Sequence, residues 1–270
     1  GTRVYWDQWA ADVADIASAQ VTRINAILES SDTAKAIITQ FDRFLKGLRD
    51  NLKDSITRKD AISMLSQHLI TKPIFDALFA GHDFAAHNPV SQVMQAMADA
   101  LDGSGLEAET KRLAKFYDSV RARAEQVVSA EGKQHLIADL YQKFFQTAFK
   151  RQSEALGIVY TPVEVVDFIL SAADHVSRTH LGKGLTDRGV HILDGFTGTG
   201  TFLTRLLQSG LITAEDLERK YASELHANEI MLLAYYIAAV NVESTYHALT
   251  GKAAERNDYE PFPGIVLADT

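Results

Sequence analysis

The sequence predicts an all-helical bundle followed by an incomplete parallel α/β sheet, and three observations carry that prediction. Up to about residue 155, apolar residues recur at three- and four-residue steps and no convincing strand appears. From Gly157 onward, short apolar runs alternate with helical patterns, the grammar of strand–helix–strand winding. Within that second half, "HILDGFTGTGTFLTRLL" ends an apolar run in an acid, turns through glycines and starts a helix at once.

In the first half, Ile24, Ile27 and Leu28, then Ile37, Ile38, Phe41, Phe44, Leu45, Leu48 and Leu52, fall on helical stripes. Thr57 with Asp60 resembles a capping box, with Asp in place of Glu, ahead of Ile62, Met64, Leu65 and Leu69. In "NPVSQVMQAMADALDG", Asn88 caps, Pro89 occupies the first turn, Val93, Met94, Met97 and Leu101 form the stripe, and Gly103 stops the helix. Further helical patterns run from about Ala108 to Val128 and from Leu136 to Phe149. In the second half, Val163 to Val176 reads as a helix, "SRTHLGKGLTDRG" as a loop, "VHILD" as a strand and Thr201 to Leu207 as a helix. "YASEL" reads as the second strand, "NEIMLLAYYIAAVNVE" as an apolar helix and "GIVLAD" as the third strand.

Composition excludes several classes. The 270 residues contain no cysteine, which removes disulfides, thiolate metal sites and a cysteine nucleophile. Hydrophobic residues at 46% and charged residues at 23% are ordinary globular usage. No apolar run approaches the ~18 residues of a membrane span, and no signal-peptide pattern opens the chain, so a soluble cytoplasmic protein is expected. The formal net charge of -8 argues against the whole surface wrapping nucleic acid. The missing initiator Met and the final "GIVLADT" read as the ends of a piece cut from something larger.

The glycine turn decides the chemistry. In an open α/β sheet, ligands lie beyond the carboxyl ends of the strands. Gly198 and Gly200, lacking Cβ atoms, allow close backbone approach, and the helix N-terminus that follows offers free N–H groups. A phosphate-binding P-loop is excluded, because Thr201 and Phe202 follow Gly200 where Lys and Ser or Thr are required. A dinucleotide fingerprint is weakened by Leu203 at the position of its third glycine. The pattern met without a gap is acid-x-Phe-x-Gly-x-Gly, through Asp194, Phe196, Gly198 and Gly200.

That pattern resembles the first motif of S-adenosylmethionine-dependent DNA methyltransferases that modify exocyclic amines. "GIVYTPVEVVDFIL" upstream resembles the motif that precedes it in the adenine-modifying group. The resemblance implies a Rossmann-like methyltransferase core, with Tyr160, Thr161 and Pro162 capping the entry helix and facing the methionine end of the cofactor. It also implies that Asp194 fixes the turn or meets the methionine ammonium, that Phe196 supplies an apolar wall, and that Thr197, Gly198 and Gly200 line the methionine and ribose. Glu224, taken as the end of the second strand, would hold the ribose hydroxyls, and Asp269, past the third strand, the adenine amine.

"TRINAILESSDTAKAIITQFDRFLKGLRDNL", "QHLITKPIFDALF" and "YQKFFQTAF" extend the resemblance to single-polypeptide restriction–modification enzymes of the type ISP kind. In these a nuclease and a helicase-like ATPase precede a helical coupler, an adenine (gamma-class, N6) methyltransferase and a target-recognition domain. The resemblance implies residues 1–155 as the coupler, with 1–20 the tail of a motor domain, and 156–270 as the first part of the methyltransferase. ATP and Mg would belong only to domains absent from this chain, and double-stranded DNA would be the partner of the full protein. The catalytic Asn/Asp-Pro-Pro-aromatic tetrapeptide does not occur, so the catalytic motif would lie beyond Thr270 and the chain alone would be inert.

Two other readings remain open at this point: a non-catalytic helical interaction module with an α/β docking platform, and a nicotinamide dehydrogenase. No metal site is expected, since "GHDFAAH" reads as a loop without the spacing that ligands on one helix face require. The basic run of Lys111, Arg112, Lys115, Arg121 and Arg123 is interrupted by acids and reads as a solvated helix face.

Overall fold

A computed structural model describes residues 2–30, 35–78, 84–101, 111–127, 132, 136, 161–251 and 259–269. The chain divides into two units, Gly1–Gly157 and Ile158–Thr270.

In the first unit the described elements are all helical: α1 (Thr2–Glu29), α2 (Lys35–Asn51), α3 (Arg58–Leu78), α4 (Phe84–His87), α5 (Pro89–Ala100), a 3-10 turn (Lys111–Leu113) and α6 (Ala114–Gln126). Helix α3 is the centre, packing against α1, α2, α4, α5 and α6. Its Ala61, Ile62, Leu65 and Ile70 are fully buried, as are Val13 and Ile24 of α1. Three buried polar side chains of this core have partners, while Gln20 Nε2 is buried without one. Ser66 Oγ donates to Gln20 Oε1 at 2.9 Å, His68 Nε2 lies 3.0 Å from Gln95 Oε1, and Tyr117 Oη donates to the Ile70 carbonyl at 2.9 Å.

The expected caps are present. Thr57 N–H donates to Asp60 Oδ2 at 2.9 Å while Asp60 N–H donates to Thr57 Oγ1 at 3.1 Å. Asn88 Oδ1 accepts from Ser91 N–H at 2.9 Å with Pro89 in the first turn. Two expectations shift. Val93 is exposed, so the α5 stripe is Met94, Met97 and Leu101. Phe84–His87 of the expected loop is a short helix. Helix α1 runs continuously through residue 20. Gly103, His82 and nearly all of the 136–149 pattern lie outside the described residues; Leu136 is buried.

The second unit contains α7 (Val163–Leu181), β1 (Ile192–Asp194), α8 (Thr201–Gln208), α9 (Ala214–Arg219), a π-helical turn (Lys220–Glu224), β2 (Leu225–Glu229), α10 (Leu232–Thr250) and β3 (Ile265–Leu267). The strands form one sheet in the order β1-β2-β3, all parallel, with Asp194 beside Ala227 and Glu229 beside Leu267. Helix α10 is buried on nearly every side, and it packs against α8, β2 and β3. Helix α7 extends past the expected Val176, because Gly182 (φ 71°) provides the left-handed stop and its N–H reaches the Arg178 carbonyl.

The main correction concerns "YASEL", of which Tyr221–Glu224 belong to a helical turn and only Leu225 to a strand. Tyr221 and Glu224, both buried, stand three residues apart, the spacing of a helix face. The fully buried Lys220 gives its ammonium protons to the Asp187 and Val190 carbonyls, at 2.9 and 2.6 Å. The spiral begun by α9, itself unforeseen, therefore continues to Glu224, and the strand starts only at Leu225.

Candidate functional site

The carboxyl edge of the sheet gathers three segments: Asp194 and the glycine turn after β1, Glu229 at the end of β2, and Ala268–Asp269 after β3. The turn is shaped by backbone requirements. Gly198 (φ 58°) and Gly200 (φ 81°) occupy the left-handed region that side chains disfavour. A Cβ on Gly200 would sit 3.1 Å from Ala238 Cα, so this residue also lets α8 press against α10. At Gly198 the same position is open space.

Hydrogen bonds from both neighbouring elements hold the turn. Thr197 N–H donates to the Asn228 carbonyl at 3.0 Å, and Thr197 Oγ1 donates to the Asp194 carbonyl at 2.8 Å. Asn241 of α10 donates its amide to the Thr199 carbonyl at 2.9 Å. Gly198 N–H donates to Glu229 Oε2 at 2.8 Å, while Glu229 Oε1 accepts from Ile230 and Met231 N–H at 2.9 and 2.8 Å.

Two carboxylates thus flank the turn, and their environment is unfavourable to charge. Burial raises the Asp194 carboxyl above its ordinary value, and the Phe196 N–H, 3.4 Å from Oδ1, opposes this only in part. Asp194 Oδ2 is buried with no hydrogen-bond partner. Burial likewise raises Glu229 against the three N–H donors, and the charge of Asp194 pushes in the same direction. Among the described residues no Lys or Arg pairs with either group. Such an edge attracts a cation or a cluster of hydroxyl donors and repels a phosphate.

Glu224 is elsewhere. It precedes β2, and five residues of strand rising ~3.3 Å each separate it from the edge that Glu229 occupies. It binds Arg219 and, at 2.8 Å, Lys220, and it accepts from Gly189 N–H at 2.9 Å. Burial works against its charge, yet these partners prevail and pull its carboxyl down to about 2. Glu224 is a structural anchor at the far end of the sheet, and the placement expected for it belongs to Glu229. The neighbouring sequence contains that signal: in "ELHANEIMLL", Glu229 is the acid nearest the apolar helix.

The remaining sequence candidates divide. Pro162 itself caps α7, its carbonyl accepting from Val165 and Val166 N–H, and no side chain caps that end, so the capping expected of Thr161 is not seen. Tyr160 lies outside the described residues. Asp167, in the second turn of α7, forms a bidentate pair with Arg205 of α8 at 2.8 and 2.7 Å, tying the helix after Pro162 to the helix after Gly200. Phe196 is 87% exposed at the tip of the turn and packs into no core. Asp269 is exposed, two residues beyond β3. Among the described residues no group of three His, Asp or Glu could hold a metal ion, and no helix is long and apolar enough to cross a membrane.

Comparison with known proteins finds a family match within the helical half and likenesses across the chain. Residues 5–132 match the family described as "Type ISP restriction-modification enzyme, coupler domain". The chain is 48% identical to a solved structure of the ATP-dependent Type ISP restriction-modification enzyme LlaBIII bound to DNA, with a TM-score of 0.85, covering 98% of this chain and 18% of that one. It is 47% identical to a nuclease-deletion mutant of the Type ISP enzyme LlaGI in complex with a DNA substrate mimic, with a TM-score of 0.84, covering 97% of this chain and 21% of that one. It is 32% identical to the protein of a DrdV–DNA complex, with a TM-score of 0.79 and coverage of 99% and 26%. The chain thus spans about a fifth to a quarter of the length of these structures. No curated protein matches.

Proposed function

We propose that this chain supplies the helical coupler and the cofactor-holding part of an adenine-specific (N6) DNA methyltransferase within a Type ISP restriction–modification enzyme acting on double-stranded DNA. The observation that carries the methyltransferase reading is the uncompensated pair Asp194 and Glu229 beside the Gly198 turn. S-adenosylmethionine brings a sulfonium-activated methyl group, an ammonium and a ribose diol to a site, and this edge offers buried carboxylates to the cation and the hydroxyls.

In this reading Asp194 faces the ammonium or sulfonium charge, and Gly198 leaves room for the ligand to approach the backbone. Glu229 accepts the ribose hydroxyls, and the Ala268–Asp269 segment lies where adenine is held. Thr161 and Pro162 open the helix that Asp167 and Arg205 fasten to the turn. A nicotinamide dinucleotide fits less well: its pyrophosphate would meet the same two carboxylates, and Leu203, buried, fills the place of the third glycine. No Asn/Asp-Pro-Pro-aromatic tetrapeptide occurs in the 270 residues. The group that receives the target amine is supplied in this reading by another part of the enzyme, and the coupler half transmits motion or fixes geometry between motor and methyltransferase.

Titration calorimetry of the chain with S-adenosylmethionine and with NAD tests the proposal. Saturable heat with the first ligand alone is expected. A folded protein that gives no heat with it overturns the reading and leaves a docking platform, and one that prefers NAD overturns it and leaves the dehydrogenase.

A further inference from the structure

We infer that Asn228 is a positioning residue that sets the gap between the two loops on either side of Glu229; this rests on the reading of the edge as a S-adenosylmethionine site. Asn228 Nδ2 donates to the Ala268 carbonyl at 3.2 Å and, through its other proton, to the Gly195 carbonyl at a longer 3.4 Å. Both partners are carbonyls, which fixes the amide's orientation, since only its nitrogen can donate. The residue is 8% exposed, and its own carbonyl accepts from Thr197 N–H. One buried side chain on the central strand therefore fastens the segment after β1 to the segment after β3.

On the β1 side the fastening stands just past the ladder, and on the β3 side it adds to the bond from Ala268 N–H to the Glu229 carbonyl at 3.0 Å. The β1–β2 ladder ends at Asp194 beside Ala227, one residue before Gly195. Gly195 has open space where a Cβ would be. On the other side, Ala268 is the residue before Asp269. A ligand reaching from the Asp194–Gly198 turn to the Asp269 loop needs these two segments at a fixed separation, and an ordered frame spares it the cost of ordering them on binding. A ligand touching only one segment gains little from the fastening.

Asn228→Ala removes the amide, and Asn228→Asp keeps its shape while replacing the donors with a carboxylate facing two carbonyls. The probes are S-adenosylhomocysteine, which spans both segments, and adenine, which in this reading meets only the Ala268–Asp269 segment. In variants with wild-type circular dichroism, affinity for the spanning ligand should fall at least tenfold and for the short ligand less than threefold. Equal losses for both, or no loss for either, would overturn the inference. Wild-type protein that binds neither probe would instead bring down the cofactor reading on which it stands. Should neither variant fold, hydrogen exchange of the wild type decides: adenine should protect residues 194–200 together with 264–269, and protection confined to 264–269 refutes the fastening.

Discussion

Glu229 accepts the Gly198 N–H at 2.8 Å, so the acid that ends the central strand also fixes the glycine turn of the strand beside it. Glu224, the acid before the same strand, is bound to Arg219 and Lys220 and has no part in that turn. The two glutamates should therefore fail differently.

Glu229→Gln should lower affinity for S-adenosylmethionine at least tenfold in calorimetry while the fold persists. Glu224→Ala leaves the fully buried Lys220 ammonium without its anion and should cost about 3–5 kcal/mol of stability in chemical denaturation. A tenfold affinity loss confined to a well-folded Glu224 variant would reverse these assignments.

Asp194→Asn should keep or raise the melting temperature while weakening the ligand. The sign follows from the raised carboxyl: protonation favours the folded state, so the group's contribution is present below its unfolded value of 3.8 and lost as pH rises through the higher folded value. At neutral pH the buried charge is a cost that Asn removes. For the same reason, ligand affinity of the wild type should decline on acidification earlier than ordinary carboxylates would cause.

Glu243 of α10 gives the second unit a distinct pH dependence. It is buried, accepts from Phe262 N–H at 2.9 Å and from Tyr259 Oη, and burial outweighs these donors to raise its carboxyl from 4.5 to about 7. Its contribution should be full below pH 4.5 and disappear as pH climbs to about 7, a loss of at most about 3 kcal/mol at ~1.4 kcal/mol per unit. Melts of Glu243→Gln across that range should lack this component, and an unchanged profile would show that the carboxyl ionises normally.

The two turn glycines should separate fold from binding. Gly200→Ala meets the Ala238 backbone at a φ of 81° and should cost about 2 kcal/mol or more, given ~1–2 kcal/mol for the left-handed region alone. Gly198→Ala, whose added methyl points into open space at a φ of 58°, should cost only the ~1–2 kcal/mol of the left-handed region yet lose most of its affinity for S-adenosylmethionine.

What could be read from the sequence follows from the range of each interaction. The Asp194–Gly200 turn was legible because its demands are local: an acid closing a strand, then glycines at the two positions with positive φ. The caps at Thr57 and Asn88 were legible for the same reason. The second strand was misplaced because "YASEL" contains strand-like residues, while its helical state depends on carbonyls of Asp187 and Val190 that receive the Lys220 ammonium from far along the chain. Asn228 gave no signal at all, since its partners lie 33 and 40 residues away and exist only once three strands align.

The contact of Gly200 with Ala238 makes the floor of the proposed binding edge and the most enclosed helix of the unit a single surface. Under the proposed reading, volume changes deep inside that helix would reach a bound nucleoside as displacement of the turn. Discrimination among nucleosides would then drift through substitutions that never meet one, and a search for altered preference should sample the interior of residues 232–250 as readily as the rim.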